Sequence, residues 1–132
     1  MDAAEEAGPF VLIADDAPDI RELLSTYLEG RGFRVEAVAD GLAAFERAIE
    51  CHPDVILMDF AMLPVNGWEA TERLKRDPLT SHIPVIALTA FTEQLDRNRA
   101  MQAGCDSFVS KPFDLDVLLA EIRRALRRPP RS

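Results

Sequence analysis

The 132-residue sequence is poor in the residues that build thiolate metal sites, disulfide frameworks and membrane spans. Its two cysteines, Cys51 and Cys105, have no paired spacing and no histidine set beside them, which argues against a zinc site and a disulfide scaffold. No apolar run approaches the roughly 18 residues that a transmembrane helix needs. Lys and Arg total 15 against 23 Asp and Glu, and the net charge of −8 argues against a surface that neutralises nucleic-acid phosphates.

The start of the chain also lacks a targeting signal, because MDAAEEAGPF has neither the basic residues nor the apolar centre of a signal peptide. We therefore expect a cytoplasmic protein whose partners are other proteins, without direct contact to nucleic acid or membrane. A content of 48% apolar and 29% charged residues is ordinary for one globular domain. We place this domain at residues 9–128, with a flexible N-terminus at residues 1–8 and a flexible C-terminus or the start of a linker at residues 129–132.

Short apolar runs alternate with helix-like stretches along the chain. The runs that predict strands lie at residues 10–14, 35–38, 55–58, 85–88 and 107–110. Apolar residues three and four apart predict helices near residues 20–28, 42–49, 68–75, 92–103 and 115–126, the fourth with a thin apolar stripe. This alternation predicts an α/β fold: a flavodoxin-like, doubly wound parallel sheet of five strands in the order 2-1-3-4-5, with five helices.

Polar residues stand at the predicted carboxyl ends of four strands, which is the edge where open α/β sheets bind ligands. Asp15 and Asp16 follow the first strand, Asp59 the third, Thr89 the fourth and Lys111 the fifth. Each residue alone is more typical of a turn, a helix cap or a solvated surface. Their joint placement, with strands one, three, four and five as neighbours, predicts that the side chains converge in one site.

The chemistry of this set favours a hard cation and a phosphoryl group. Three carboxylates in one place repel one another, so they bind a cation or retain protons. An all-oxygen set without His or Cys favours Mg²⁺, and Lys111 adds a second positive charge that offsets an incoming phosphoryl group. Asp59 is the best candidate nucleophile because it ends a central strand, whereas Asp15 and Asp16 lie on a turn suited to holding metal.

The sequence resembles the response-regulator receiver domain of two-component signalling, of the single-domain chemotaxis-regulator type, over nearly its full length. The resemblance is carried by four segments in the order of the family: ADDAPDIRELL, VILMDFAMLPVNG, IPVIALTAF and AGCDSFVSKPF. It implies that Asp59 is the phosphoacceptor and that Asp16, Asp59 and the backbone carbonyl of Ala61 bind Mg²⁺ directly. Asp15 would act through a water, and Mn²⁺ is an implied substitute for Mg²⁺.

The resemblance also implies which residues hold the phosphoryl group and transmit its arrival. Lys111 would pair with the phosphoryl group, while the Thr89 hydroxyl and the Ala90 amide would hydrogen-bond its oxygens. Phe108 would be the switch aromatic that turns inward when Thr89 moves; a static core ring is the alternative interpretation. Pro112 would follow a cis peptide bond.

Four features depart from the family pattern. Pro64 lies five residues after the phosphoacceptor instead of four, although Gly67 keeps the usual offset of eight. Ala61 and Phe91 occupy the two variable positions that influence phosphoryl lifetime, and neither side chain can activate a water, which predicts slow self-dephosphorylation. Phe108 lacks the hydroxyl of a tyrosine at the switch position, and no output domain is expected after the last helix.

We predict a receiver that takes a phosphoryl group from a histidine kinase or phosphotransfer protein and then changes its affinity for a target protein. The changing surface would comprise the fourth helix, the fifth strand and the last helix. Beyond its own Mg²⁺-dependent phosphorylation and dephosphorylation, no enzymatic activity is expected. The alternatives are a receiver module of a larger regulator, cut before its effector domain, and a receiver-like interaction module that works without phosphorylation. A phosphatase-like hydrolase fits less well, and both a monomer and a phosphorylation-dependent dimer are compatible with the sequence.

Overall fold

The computed structural model describes residues 8–60, 67–89, 98 and 101–127. The strands are β1 (Phe10–Ala14), β2 (Arg34–Val38), β3 (Val55–Asp59), β4 (Val85–Thr89) and β5 (Ser107–Ser110). The helices are α1 (Pro18–Glu29), α2 (Gly41–Cys51), α3 (Gly67–Arg76) and α4 (Leu115–Arg127). Asn98 and residues 101–103 are also helical and belong to the predicted fourth helix, whose remaining residues lie outside the described part.

The five strands form one parallel sheet in the order β2-β1-β3-β4-β5, which confirms the predicted flavodoxin-like fold. The three strands β1, β3 and β4 are buried at every position. This burial explains their nearly continuous apolar sequence, since parallel strands covered by helices on both faces have no solvent side. No helix among the described residues has the length and apolar character needed to cross a membrane.

Alternate strand residues supply two cores, one on each face of the sheet. One core contains Leu12, Ile56, Met58, Val85 and Ala87 together with residues of α2 and α3. The other contains Val11, Ile13, Leu57, Ile86 and Leu88 together with residues of α1 and α4. Helices therefore pack on both faces of the sheet, and this packing holds the carboxyl ends of the strands at fixed positions.

Two helices begin at aspartate caps near this edge. Asp40 accepts a hydrogen bond from the Ala43 amide at 2.8 Å and starts α2. Asp114 accepts from the amides of Asp116 (2.9 Å) and Val117 (3.3 Å) at the start of α4. Helix α1 differs, because Ala17 stands at its N-cap and no side chain caps it.

The helical stripes are narrower than their sequence pattern predicts. Leu24 and Leu28 of α1 are fully buried, but Leu23 is 47% exposed; Leu42 of α2 is 43% exposed. A helix lying on a flat sheet buries the residues along one line, whereas the leucines beside that line face solvent. Leu23 and Leu42 therefore lie outside the buried lines of their helices.

Candidate functional site

Three carboxylates meet at the carboxyl edge of the sheet. One ligand oxygen each from Asp15, Asp16 and Asp59 lies within 4.8 Å of the others. Asp15 and Asp59 are buried whereas Asp16 is exposed, so the cluster has a closed floor and an open side. Oxygen ligands at this spacing, without nitrogen or sulfur donors, fit a hard divalent cation that keeps some of its waters.

Lys111 supplies the positive charge opposite the carboxylates. Its Nζ lies 3.3 Å from Asp15 Oδ2 and 3.4 Å from Asp59 Oδ2. The Lys111 side chain is anchored from β5, where its backbone amide donates to Thr89 O at 2.6 Å. The Lys111–Pro112 peptide bond is cis. The ammonium group of Lys111, which follows β5, thus lies close to both the carboxylate after β1 and the carboxylate at the end of β3.

Asp15 is the most constrained member of the cluster. Its Oδ1 accepts from the Ala17 amide at 2.9 Å, and its backbone carbonyl accepts from Arg21 Nη1 at 2.9 Å. Burial raises the pKa of the Asp15 carboxyl, and the neighbouring Asp59 raises it further, against the lowering effects of the Ala17 amide and Lys111. A bound divalent cation would favour the charged form of this carboxyl and so relieve the unfavourable burial.

Thr89 and Phe108 lie on the same face of the sheet. Thr89 ends β4 and is 4% exposed. It stands opposite Ser110, two residues beyond the pair Ala87–Phe108, so the strand period of two places both side chains on one face. Phe108 is partly buried against the core that contains Ala87 and Met58.

The backbone around Asp59 is pressed by the start of α3. A Cβ on Gly67 would lie 2.6 Å from Asp59 O and 2.6 Å from the Cα of Phe60. Trp68, the next residue, packs its ring against Phe60 with 4.7 Å between centroids. Gly67 is therefore required by space alone, and the helix start sits directly behind the candidate nucleophile.

The structure brings together four of the residues singled out from the sequence: Asp15, Asp16, Asp59 and Lys111. Ala61 and Ala90 lie outside the described residues, as do Pro64 and Phe91 of the sequence departures. The sequence reasoning missed two contributions, the hydrogen bond of Arg21 and the close approach of Gly67. Both residues stand inside the quoted motifs, at positions five residues after Asp16 and eight after Asp59.

Comparison with known proteins agrees with a doubly wound domain that carries an acidic site at its carboxyl edge. Residues 11–123 match the model of the response regulator receiver domain, and the chain belongs to this family. Receiver domains act in two-component signalling, where they interact with histidine kinases or phosphotransfer proteins and with downstream targets.

Two curated relatives are each 38% identical to the chain. One is the DNA-binding dual master transcriptional regulator RpaA of Synechocystis, aligned over 123 residues that are 93% of this chain but 51% of RpaA. The chain thus spans about half the length of RpaA. The other is the polar-differentiation response regulator DivK of Brucella ovis, aligned over 116 residues, 88% of this chain and 94% of DivK.

Two solved structures superimpose closely. The receiver domain of the sensor histidine kinase PA1611 from Pseudomonas aeruginosa has a TM-score of 0.86 and 33% identity, covers 92% of this chain and 100% of that domain, and holds a magnesium ion in its active-site cleft. The chemotaxis protein CheY4 of Vibrio cholerae has a TM-score of 0.86 and 30% identity, over 91% of this chain and 100% of CheY4. Receiver domains bind Mg²⁺ at an acidic pocket, and the three-aspartate cluster of this chain fits that ion.

Proposed function

We propose that this receiver accepts a phosphoryl group on Asp59 from a histidine kinase or a phosphotransfer protein. The observation that carries the proposal is the shared position of Lys111, 3.3 Å from Asp15 and 3.4 Å from Asp59, beside a cluster of three carboxylates. A nucleophile that ends a buried strand, with a metal site on one side and an ammonium group on the other, is arranged for phosphoryl transfer. Mn²⁺ is a proposed substitute for Mg²⁺.

The chemistry assigned to each residue follows from its position. An oxygen of Asp59 forms the new bond to phosphorus while the P–N bond of the donor phosphohistidine breaks; the leaving nitrogen keeps the electron pair and takes up a proton. Lys111 and Thr89 stabilise the charge on the transferred group, with the Ala90 amide proposed as a further donor. Asp15, Asp16, Asp59 and the Ala61 carbonyl would hold Mg²⁺, which offsets the charge of the phosphoryl oxygens.

Asp59→Asn tests the acceptor. With Mg²⁺ and acetyl phosphate as the donor, the wild-type protein should gain one acid-stable, base-labile phosphoryl group, measured as about 80 Da by intact mass spectrometry. The Asn variant should gain none, while Asp116→Asn, an exposed aspartate of α4, should be labelled as the wild type is. Labelling that survives in the Asn variant would show that another residue accepts the group.

The output is proposed to be a change of shape on the surface made by the helix predicted at residues 92–103, β5 and α4. The common face of Thr89 and Phe108 supports this route, since movement of Thr89 toward the phosphoryl group frees space beside the Phe108 ring. Whether Phe108 turns or stays static is decided by NMR of the ring with and without beryllofluoride. An affinity for the cognate partner that beryllofluoride leaves unchanged would favour an interaction module independent of phosphorylation.

We propose further that the domain occupies residues 9–128, which extends the matched range of 11–123.

We also propose that the phosphoryl group on Asp59 is long-lived. Ala61 and Phe91 offer no group that activates water. Phe91→Glu should therefore shorten the half-life of the phosphorylated protein, by about 100-fold if the new carboxylate acts as a well-placed general base at the lower end of the usual range. The half-life is measured by loss of the added mass after removal of the donor, and an equal half-life in both proteins would contradict the prediction.

A further inference from the structure

Arg21 makes a contact that none of the roles above uses. Its Nη1 donates to the backbone carbonyl of Asp15 at 2.9 Å, across six residues. The Arg21 side chain is half-buried in the first turns of α1, and its amide donates to Ala17 O at 3.1 Å. The guanidinium thus joins helix α1 back to the end of β1, around the two residues that carry Asp15 and Asp16.

We propose that Arg21 is a positioning residue for the metal site: its bond to Asp15 O fixes the peptide between Asp15 and Asp16 and thereby aims the Asp16 carboxylate. The inference rests on the proposed function, since it concerns the same site. Arg21 touches neither the phosphoryl group nor the carboxylate oxygens in this scheme, and it acts through the backbone alone.

Among the residues that the structure describes, Arg21 provides the hydrogen bond that holds the peptide between Asp15 and Asp16, and the other bonds of this segment hold other groups. The Asp15 amide donates to Val38 O at 3.1 Å, which holds the residue on its N-terminal side. The Asp15 side chain is held by the Ala17 amide and Lys111. The Asp15 backbone carbonyl belongs to the peptide that joins Asp15 to Asp16. Because this peptide is planar, the direction of the carbonyl also sets the direction of the Asp16 amide and Cα. Asp16 is exposed, so packing against the described residues gives its carboxylate little orientation.

Orientation matters here because metal–oxygen distances in proteins tolerate only about 0.2 Å of error. Groups that orient metal ligands without touching the metal typically change metal affinity by about 10- to 100-fold when removed. An uncharged substitute for Arg21 should accordingly weaken Mg²⁺ binding by that amount.

A purely electrostatic role of Arg21 predicts the opposite sign. Arginine is always charged, and a cation beside a metal site repels the metal. If charge alone mattered, its removal would tighten Mg²⁺ binding. The direction of the change therefore separates positioning from electrostatics in a single measurement.

The experiment compares Arg21→Gln with the wild type and with Arg123→Gln, which removes the same charge from an exposed position of α4. Mg²⁺ is titrated alone and followed by calorimetry and by the fluorescence of Trp68, the single tryptophan of the chain, which packs against Phe60 beside Asp59. Labelling by acetyl phosphate is then measured over a range of Mg²⁺ concentrations.

Positioning predicts that Arg21→Gln needs about 10- to 100-fold more Mg²⁺ for half-saturation, whereas its maximal labelling rate stays within about twofold of the wild type. Arg21→Lys, which keeps a donor, should fall between the two proteins, and Arg123→Gln should match the wild type. A Gln variant that binds Mg²⁺ equally or more tightly overturns the inference, as does a loss of maximal rate with unchanged Mg²⁺ affinity.

Two further outcomes are also decisive. If Arg21→Gln does not fold, as judged by circular dichroism, Arg21→Met replaces it under the same criteria, because Met keeps the apolar stem; if neither folds, Arg21 serves the stability of the domain and the inference is overturned. A wild-type protein that binds Mg²⁺ without being labelled on Asp59 refutes the proposed function but leaves the Mg²⁺ comparison of Arg21 intact.

Discussion

Asp15 carries a carboxyl group that is completely buried beside a second buried carboxyl, that of Asp59. Burial first, and the charge of Asp59 after it, raise the pKa of Asp15 above its ordinary value of 3.8. A raised pKa in the folded state means that the protonated form stabilises the fold. This contribution is fully present below the unfolded-state pKa and is lost as the pH rises through the folded-state pKa. Without metal, the ionisation of Asp15 as the pH rises therefore lowers the stability of the native protein.

Asp15→Asn should consequently raise the thermal midpoint of the metal-free protein at pH 7. The advantage over the wild type should shrink as the pH falls through the raised pKa of the wild-type carboxyl. The same variant should bind Mg²⁺ more weakly because a charged ligand group is lost. Melting curves from pH 4 to 7 in EDTA measure the first effect, with Asp116→Asn as the exposed control. A variant less stable than the wild type across this range would contradict the prediction.

Helix α3 affects the site through its first residue, Gly67, which has no side chain. The start of the helix lies so close to the Asp59–Phe60 peptide that a methyl group on Gly67 has no room. Because backbone rather than a flexible side chain is in the way, either the helix or the strand end must move. The distance between helix and strand is therefore set for glycine.

Gly67→Ala should destabilise the protein by about 1–3 kcal/mol, the typical result of overpacking, and should also weaken Mg²⁺ binding because Asp59 is displaced. Gly30→Ala is the matched control, since a Cβ there meets Thr26 O at an ordinary 3.4 Å and the residue has φ −64°. Urea unfolding with Mg²⁺ titration gives both quantities. Equal stability of the Gly67 variant and the wild type would show that the helix adjusts freely.

The far end of α3 is tied to the other edge of the sheet by an ion pair. Lys75 Nζ donates to Asp106 Oδ2 at 3.0 Å and to Ile83 O at 2.7 Å, and Asp106 Oδ2 also accepts from the Val85 amide at 2.9 Å. The Lys75 side chain is 15% exposed and that of Asp106 5%. The turn at Gly104, with φ +105°, lies directly on the Lys75 stem. The pair joins α3, β4 and the start of β5.

Lys75→Met should destabilise the protein by about 3 kcal/mol, because it leaves the buried Asp106 charge without its cation. Arg73→Met, on the exposed side of the same helix, should change the stability by no more than about 0.5 kcal/mol. Chemical denaturation of both variants provides the comparison. A similar, small effect at the two positions would mean that Asp106 is satisfied without Lys75.

The sequence predicted the elements well and their contacts poorly. Apolar runs located every strand to within one residue, because a strand buried on both faces leaves a continuous apolar signal. The exposure of Leu23 and Leu42 could not be read from the helical periodicity, since periodicity does not show how flat the covered surface is. The Lys75–Asp106 pair and the Gly67 contact join residues distant in sequence or depend on free space, and neither leaves a local pattern.

At the scale of the whole molecule, the acidic cluster links metal binding to global stability. Mg²⁺ binds only when β1 and β3 bring their aspartates together, so it should stabilise the native state. At 100 times its dissociation constant the gain is about 2.7 kcal/mol, which corresponds to roughly 10 °C in melting temperature at an unfolding entropy of about 2.1 cal/mol/K per residue. Differential scanning calorimetry with and without Mg²⁺ measures the shift. EDTA should reverse the shift. A Ca²⁺-free, Mg²⁺-saturated protein whose melting temperature is no higher than that of the EDTA sample would contradict the assignment of the cluster.

The two ends of α3 serve different purposes at opposite edges of one sheet. Its first residue stands behind Asp59 at the carboxyl edge, and Lys75, near its last, closes the amino edge against Asp106. Thermostable versions of this domain can accordingly be sought by redesigning the amino edge while the carboxyl edge keeps its natural sequence. The residues that stabilise the amino edge are thus separate from those of the candidate site. Stability and activity usually compete when an active site itself is made more rigid.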